Sequence, residues 1–152
     1  HRNERQTSMD RCQQRFLRPE PRVRLGTLIG RTRAASSCVD LSDGLADGVR
    51  QLTMASGVGA IIETSAVPID PEARRCFEED GRDPITAALE VGEDYELLFT
   101  VPRNQRNQYR SIRRLMGSLQ LTRIGVITRD KSILLHSSTG YTSLPAGFDH
   151  FK

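Results

Sequence analysis

The chain has 152 residues, of which 37% are hydrophobic and 27% are charged, a composition typical of one globular domain and unlike that of a disordered chain. Its longest plainly apolar stretch, Val58 to Ile62, is too short to cross a bilayer, so we expect neither a membrane-spanning segment nor a membrane partner. The net charge is +3, and residues 1–33 alone hold nine Arg against three acidic residues.

The basic segment at residues 1–33 suggests nucleic acid as one class of partner. It contains a single aromatic residue, Phe16, and 20 of the 22 basic residues in the whole chain are Arg, so Arg richness is a general property of this sequence. We therefore expect no nucleic-acid partner. Helical patterns from Glu4 to Leu17 and from Arg22 to Arg31 indicate that residues 1–33 are a helical connector, with the domain itself at 34–152.

Strands and helices alternate along the rest of the chain, which predicts a layered α+β domain with a mixed sheet. The apolar segment Tyr95–Val101 is the strongest predicted strand, and we expect it to be central in the sheet. Shorter strands are predicted at Ser37–Leu41, which we expect to be buried, and at Gly59–Thr64. The last two predicted strands, Leu121–Thr128 and Ser132–His136, are joined by a turn at Arg129–Asp130 and are expected to form a closing strand pair. Helices are predicted from Leu45 to Ser56, Pro71 to Glu79, Pro84 to Val91 and Pro102 to Met116, the last with Tyr109, Ile112, Leu115 and Met116 facing inward.

The three cysteines, Cys12, Cys38 and Cys76, are odd in number and widely spaced, so they form neither a disulfide framework nor a metal-binding pair. We expect them to be reduced, partly buried thiols in a cytoplasmic protein. The chain begins with His1 rather than Met and shows no signal peptide, from which we expect a fragment of a longer protein.

The first candidate site is the sequence Asp40-Leu41-Ser42-Asp43-Gly44, at the junction between a predicted strand and a helix. Two carboxylates, a hydroxyl and free helix N–H groups at such a junction suit Mg²⁺ together with phosphate oxygens, because Mg²⁺ usually takes one or two carboxylates and fills its other positions with water and phosphate. The competing interpretation is that Ser42 or Asp43 caps the helix while Asp40 is solvated. Spacing alone favours capping.

Two further segments carry residues suited to ligand binding. Glu93, Asp94 and Glu96 cluster at the start of the predicted Tyr95 strand, where acids are poorly placed for packing, although an exposed acidic loop is an alternative. Near the end of the chain, Phe148 and Phe151 must either dock onto the domain or stack on a ligand. Serine, cysteine and histidine show no arrangement for nucleophilic catalysis, so no catalytic residue is predicted.

Taken in order, these segments resemble the thiamine-monophosphate kinases of the AIR-synthetase-like (PurM-like) superfamily. Each motif alone is weak, and the ordered set is specific and covers nearly all of the chain from Arg18 onward. The motifs that carry the resemblance are Arg18-Pro19-Glu20-Pro21-Arg22, Val39-Asp40-Leu41-Ser42-Asp43-Gly44-Leu45, Ser56-Gly57-Val58-Gly59-Ala60, Gly92-Glu93-Asp94-Tyr95-Glu96-Leu97-Leu98-Phe99-Thr100-Val101-Pro102 and Gly147-Phe148-Asp149-His150-Phe151.

The resemblance implies a PurM carboxy-terminal-domain-like fold and ATP-dependent conversion of thiamine monophosphate to thiamine diphosphate. It implies Asp40 and Asp43 as Mg²⁺ ligands, Ser42 as an ATP contact, and Glu93 and Phe148 as contacts to thiamine monophosphate. It also implies a homodimeric parent with an amino-terminal domain that holds the remaining metal and nucleotide ligands, so that this chain alone is inactive.

One residue departs from the family pattern: Val91 stands where a second glycine is usual before Glu93, which puts a side chain beside the expected substrate site. Two alternative functions remain. One is another ATP-using enzyme of the superfamily, such as a relative of AIR synthetase or selenophosphate synthetase. The other is a non-enzymatic interaction domain.

Overall fold

Proline and glycine set the ends of several helices in the computed structural model, which describes residues 17–144. Helices α3 and α4 each begin with proline, and the aspartate before each proline caps the helix: Asp70 accepts a hydrogen bond from Glu72 N and Asp83 from Thr86 N, both at 2.8 Å. The helices are α1 (Val23–Thr32), α2 (Leu45–Ser56), α3 (Pro71–Glu79), α4 (Pro84–Glu90) and α5 (Arg106–Met116), with short 3-10 turns at Thr64–Ala66 and Arg103–Gln105.

The strands form two sheets. They are β1 (Ser37–Asp40), β2 (Gly59–Glu63), β3 (Leu97–Thr100), β4 (Gly125–Thr128), β5 (Ile133–Ser137) and β6 (Gly140–Ser143). Strands β1 and β3 pair antiparallel, and the other four lie in the order β4-β2-β5-β6. Because β2 runs parallel to β5 and antiparallel to β4, this second sheet is mixed, and the predicted α+β class is confirmed.

Two apolar clusters hold the described part of the chain together. The larger cluster joins α2, the four-stranded sheet and α4, with Leu45, Val49, Ile62 and Leu89 buried in it. The smaller cluster joins α1 to α5. In that cluster the described part of the 1–33 segment packs on the rest, and the boundary after residue 33 stays a prediction. No helix within residues 17–144 has both the length and the apolar character needed to cross a membrane.

Strand pairing departs from the sequence-based expectations. Strand β3 is shorter than the predicted Tyr95–Val101, is half-buried throughout and pairs only with β1 among the described strands, so the expectation of a central strand was wrong. Strand β1 is not buried either, since Cys38 and Asp40 are exposed. A strand pair is built from residues far apart in the chain, and local apolar content does not determine it.

Three other expectations are corrected. Strands β4 and β5 lie on opposite sides of β2 rather than next to each other, because the apolar β2 accepts a partner on each side. The side chain of Leu115, expected to face inward, is 55% exposed. The predicted Pro102–Met116 helix begins at Arg106 after a 3-10 turn. The helix expected from Glu4 lies outside the described residues except for its end at Leu17.

Candidate functional site

The two acid-rich segments that the sequence analysis treated separately are hydrogen-bonded to each other through their backbones. We call residues 41–44 the first loop and residues 91–96 the second loop. The N–H of Leu41 donates to the carbonyl of Glu96 at 2.9 Å, and the N–H of Tyr95 donates to the carbonyl of Leu41 at 3.0 Å. The N–H of Glu93 donates to the carbonyl of Ser42 at 2.7 Å. These bonds continue the β1–β3 ladder, in which Asp40 lies opposite Leu97.

Two glycines allow the loops to approach this closely. A Cβ added at Gly92 would lie 2.5 Å from the carbonyl oxygen of Ser42, and one added at Gly44 would lie 3.0–3.3 Å from three carbonyl oxygens of residues 89–91. Gly44 also has a φ of 94°, a conformation that residues other than glycine rarely adopt. Any larger residue at these positions would push the loops apart.

The second loop is held in a strained conformation. Glu93 and Tyr95 have φ values of 67° and 50°, in the left-handed region that costs a residue with a Cβ about 1–3 kcal/mol. The hydrogen bonds from both residues to the first loop maintain this conformation. Backbone strain of this kind is concentrated at binding and catalytic sites, which makes the joined loops the strongest candidate site in residues 17–144.

The joined loops present an acidic surface to solvent. Asp40, Glu93 and Asp94 are exposed, while Ser42 and Asp43 are partly buried. Within the part of the chain that the structure describes, no three His, Cys, Asp or Glu side chains converge as a ready-made metal cage. Asp40 and Asp43 lie next to and within the first loop, and Mg²⁺ commonly takes one or two carboxylates when phosphate oxygens and water complete its shell.

The capping interpretation of the first loop is wrong. The N-cap of α2 is Gly44, and no side chain forms a cap hydrogen bond there. Capping therefore does not account for Ser42 or Asp43, which the chain places in the turn where the two loops meet. Gly57, the predicted stop of the same helix, does adopt the left-handed conformation, with a φ of 63°.

The two described cysteines, Cys38 and Cys76, are free, as predicted, but they are exposed rather than partly buried. Although Cys38 is exposed overall, partial desolvation by its neighbours raises the pKa of its thiol, and the negative charge of Asp40 adds to the effect. The thiol therefore stays protonated at higher pH than an ordinary cysteine.

A further contact reaches the second loop from outside it. The guanidinium of Arg22 donates two hydrogen bonds to the carboxylate of Glu96, at 2.6 and 2.9 Å. Sequence patterns did not identify Arg22 as the partner of Glu96, because the two residues lie 74 positions apart in the chain. The only indication in the sequence that Arg22 has a functional role was its place in the Arg18-Pro19-Glu20-Pro21-Arg22 motif. Phe148, the other predicted substrate contact, lies outside the described residues.

Comparison with protein families matches residues 11–136 to the family described as AIR synthase related protein, C-terminal domain. The thiamine-monophosphate kinase of Escherichia coli is 35% identical over 139 residues, which is 90% of this chain and 41% of that protein. The chain thus spans about two fifths of the length of such relatives.

Two solved structures share the fold. AaThiL complexed with AMPPCP and TMP superposes with a TM-score of 0.71 at 33% identity, over 91% of this chain and 40% of that one. Thiamine-monophosphate kinase from Stenotrophomonas maltophilia gives 0.70 at 34% identity, over 80% of this chain and 37% of that one. The family match covers most of the residues described, including both loops. The chain therefore belongs to the AIR synthase related protein family, as a C-terminal domain of it.

Proposed function

We propose that this chain is the carboxy-terminal part of an ATP-dependent kinase that converts thiamine monophosphate to thiamine diphosphate. The observation that supports the proposal is the hydrogen bond between the two loops at Ser42 and Glu93. It joins the first loop, whose residues suit Mg²⁺ and phosphate, to the strained acidic second loop. The similarity to thiamine-monophosphate kinases at 33–35% identity over nine tenths of the chain supports the choice of substrate.

We assign Asp40 and Asp43 as Mg²⁺ ligands and Ser42 as a contact to ATP. When bound, Mg²⁺ would neutralise the charge of the reacting phosphates. The acceptor is itself a phosphate and already anionic, so the protein needs no general base to create the nucleophile. The main barrier is the repulsion between two anions, and the task of these side chains is to hold the charges and oxygens in place.

We assign Glu93 and Phe148 as contacts to thiamine monophosphate. The carboxylate of Glu93 suits the electron-poor heterocycle, and its backbone is held by the bond to Ser42, so little ordering is needed when the ligand binds. An aromatic ring at residue 148 would offer a stacking face. Val91, the first residue of this loop, is 38% exposed and adds an apolar side chain there.

The complete site needs more than this chain. Relatives are more than twice as long, which supports a parent protein with an amino-terminal domain that supplies further metal and nucleotide ligands. We also propose that the parent works as a homodimer in the cytoplasm. On this account the isolated chain folds but does not transfer phosphate.

The test is product formation by the full-length parent and by the isolated chain, each incubated with ATP, Mg²⁺ and thiamine monophosphate. We expect thiamine diphosphate from the parent and none above background from the chain. Turnover by the chain would contradict the divided site. Phosphorylation of a different acceptor by the parent would indicate another ATP-using enzyme of the superfamily, and a folded parent that neither binds nor consumes ATP would indicate an interaction domain.

A further inference from the structure

Arg22 and Glu96 form a two-bond ion pair between the start of α1 and the second loop. Nε of Arg22 donates to Oε2 of Glu96 at 2.9 Å, and Nη2 donates to Oε1 at 2.6 Å. The Arg22 side chain is 11% exposed and that of Glu96 is 38% exposed, so the pair is partly buried. Paired bonds of this kind fix direction as well as distance, because both planar groups must align.

The arginine side of the pair is anchored to the core. The carbonyl of Arg22 accepts the N–H of Gly26 at 2.9 Å at the start of α1. One turn further on, Leu25 and Ile29 are buried in the cluster with Ile112 of α5. The guanidinium is thus attached to a packed helix. Its hydrogen bonds to Glu96 raise the pKa of Arg22, a side chain that is always charged in proteins.

The glutamate side of the pair leads directly to the candidate site. Glu96 follows Tyr95, whose φ is 50°, and its own carbonyl accepts the N–H of Leu41 in the first loop. Holding the Glu96 side chain therefore fixes the carboxyl end of the strained loop in which Glu93 lies. Without that hold, the second loop can relax from its left-handed conformation, since the strain favours release.

We propose that Arg22 is a positioning residue for the ligand of the second loop: through Glu96 it holds the loop in the strained conformation that presents Glu93. The identity of the ligand, thiamine monophosphate, rests on the proposed function. The ordering of the loop by Arg22 does not, and the two parts are tested separately.

The loop ordering is tested by amide hydrogen exchange on the 152-residue chain. Arg22→Met should accelerate exchange at the amides of Glu93 and Tyr95 by about ten- to hundredfold, the effect of losing hydrogen bonds to a charged group. The amides of β5, in the other sheet, should keep their rates. Arg31→Met is the matched control, because Arg31 is exposed on the same helix. This change should alter the exchange rates neither in the second loop nor in β5. Unchanged exchange at Glu93 and Tyr95, or equal acceleration in β5, would overturn the proposal.

The effect on the ligand is tested by steady-state kinetics in the full-length parent. Arg22→Met should raise the KM for thiamine monophosphate about tenfold or more and leave the KM for ATP nearly unchanged, whereas a general loss of stability would affect both. Arg22→Lys keeps the charge but not the two-bond geometry, so its KM for thiamine monophosphate should lie between those of Arg22→Met and the unsubstituted parent. Glu96→Gln combined with Arg22→Met should raise this KM by less than the product of the two single effects, since both changes remove the Arg22–Glu96 pair.

The outcomes separate the two claims. If exchange accelerates as expected but the unsubstituted parent does not bind thiamine monophosphate, the proposed function is wrong and the positioning role of Arg22 stands. If the parent binds thiamine monophosphate and Arg22→Met leaves its KM unchanged, the positioning role is wrong and the proposed function stands.

Discussion

The amide nitrogen of Glu93 lies 2.7 Å from the carbonyl oxygen of Ser42 and donates a hydrogen bond to it. Ser42 belongs to the turn assigned to metal and nucleotide, and Glu93 belongs to the loop assigned to the acceptor. This bond therefore ties the two functions together through the backbone. Neither side chain takes part in it, so both stay available to ligands.

Gly92→Ala should separate the two loops. The added Cβ would lie 2.5 Å from the carbonyl of Ser42 and 3.2 Å from the Asp43 backbone, and backbone atoms cannot move aside as a flexible side chain can. We expect a loss of about 1–3 kcal/mol in the free energy of unfolding, measured by urea denaturation. Gly30→Ala is the control: nothing lies within 4 Å of its added Cβ, so this change within a helix should raise the free energy of unfolding by about 0.5–1 kcal/mol. Equal effects of both changes would contradict the close approach.

Asp43→Asn should lower turnover by the full-length parent by about a hundredfold or more, the usual cost of losing an electrostatic contact that stabilises a transition state. Loss of a helix cap should not add to this effect, because no side-chain cap hydrogen bond forms at the start of α2. Asp47→Asn is the control in the first turn of the same helix, where Asp47 accepts a bond from Gln51 at 2.6 Å. Near-normal turnover of Asp43→Asn would show that the first loop holds no metal.

Asp83→Ala should remove the cap of α4, the helix that leads into the second loop. Bonds from the Thr86 N–H and hydroxyl lower the pKa of Asp83, so the unfolded state binds the proton more tightly. The cap therefore stabilises the fold above the ordinary carboxyl range, and its contribution is lost as the pH falls through the lowered pKa. We expect Asp83→Ala to lower the free energy of unfolding by about 1 kcal/mol at neutral pH.

The pH dependence of that cost is the decisive readout. Urea unfolding should give a difference between Asp83→Ala and the unsubstituted chain that shrinks below about pH 4. Asp80 is an exposed residue that follows the last residue of α3. The free energy of unfolding of Asp80→Ala should therefore stay within about 0.5 kcal/mol of that of the unsubstituted chain at every pH. A difference for Asp83→Ala that does not depend on pH would show that the carboxylate charge is irrelevant to the cap.

Phe148→Ala in the full-length parent should raise the KM for thiamine monophosphate and leave that for ATP nearly unchanged. Stacking on an aromatic ring is typically worth about 1–3 kcal/mol, which corresponds to roughly a five- to hundredfold weakening. Phe151 serves as the internal control, since it has no assigned contact. The stacking role is refuted if both alanine variants lose thermal stability alike and neither is selective for thiamine monophosphate.

Local chemistry made part of this fold predictable. The start of α3 at Pro71 follows from a proline that can begin a helix, and the end of α2 follows from a glycine that tolerates a positive φ at residue 57. Strand partners were not predictable in this way. The segments β4 and β5 lie close in sequence, yet each pairs with β2, because pairing depends on which strands the folded chain brings together.

The candidate site was likewise only partly predictable from the sequence. The acids Asp40, Asp43 and Glu93 were visible in the sequence as candidates for a site, and each segment was identified from its own residues. Their contact depends on two glycines whose role appears only when the loops lie against each other. The Arg22–Glu96 pair spans 74 residues, beyond the reach of any periodic pattern.

The most direct test of the joined loops is the Mg²⁺ dependence of thiamine monophosphate binding, measured by titration calorimetry on the full-length parent. If the first loop holds the metal beside the acceptor in the second loop, Mg²⁺ should tighten binding of thiamine monophosphate, and Asp43→Asn should reduce that gain. This follows because coupling between two ligands is reciprocal and is carried by their shared contacts. Equal Mg²⁺ dependence in the unsubstituted protein and in Asp43→Asn would contradict a single site built from the two loops.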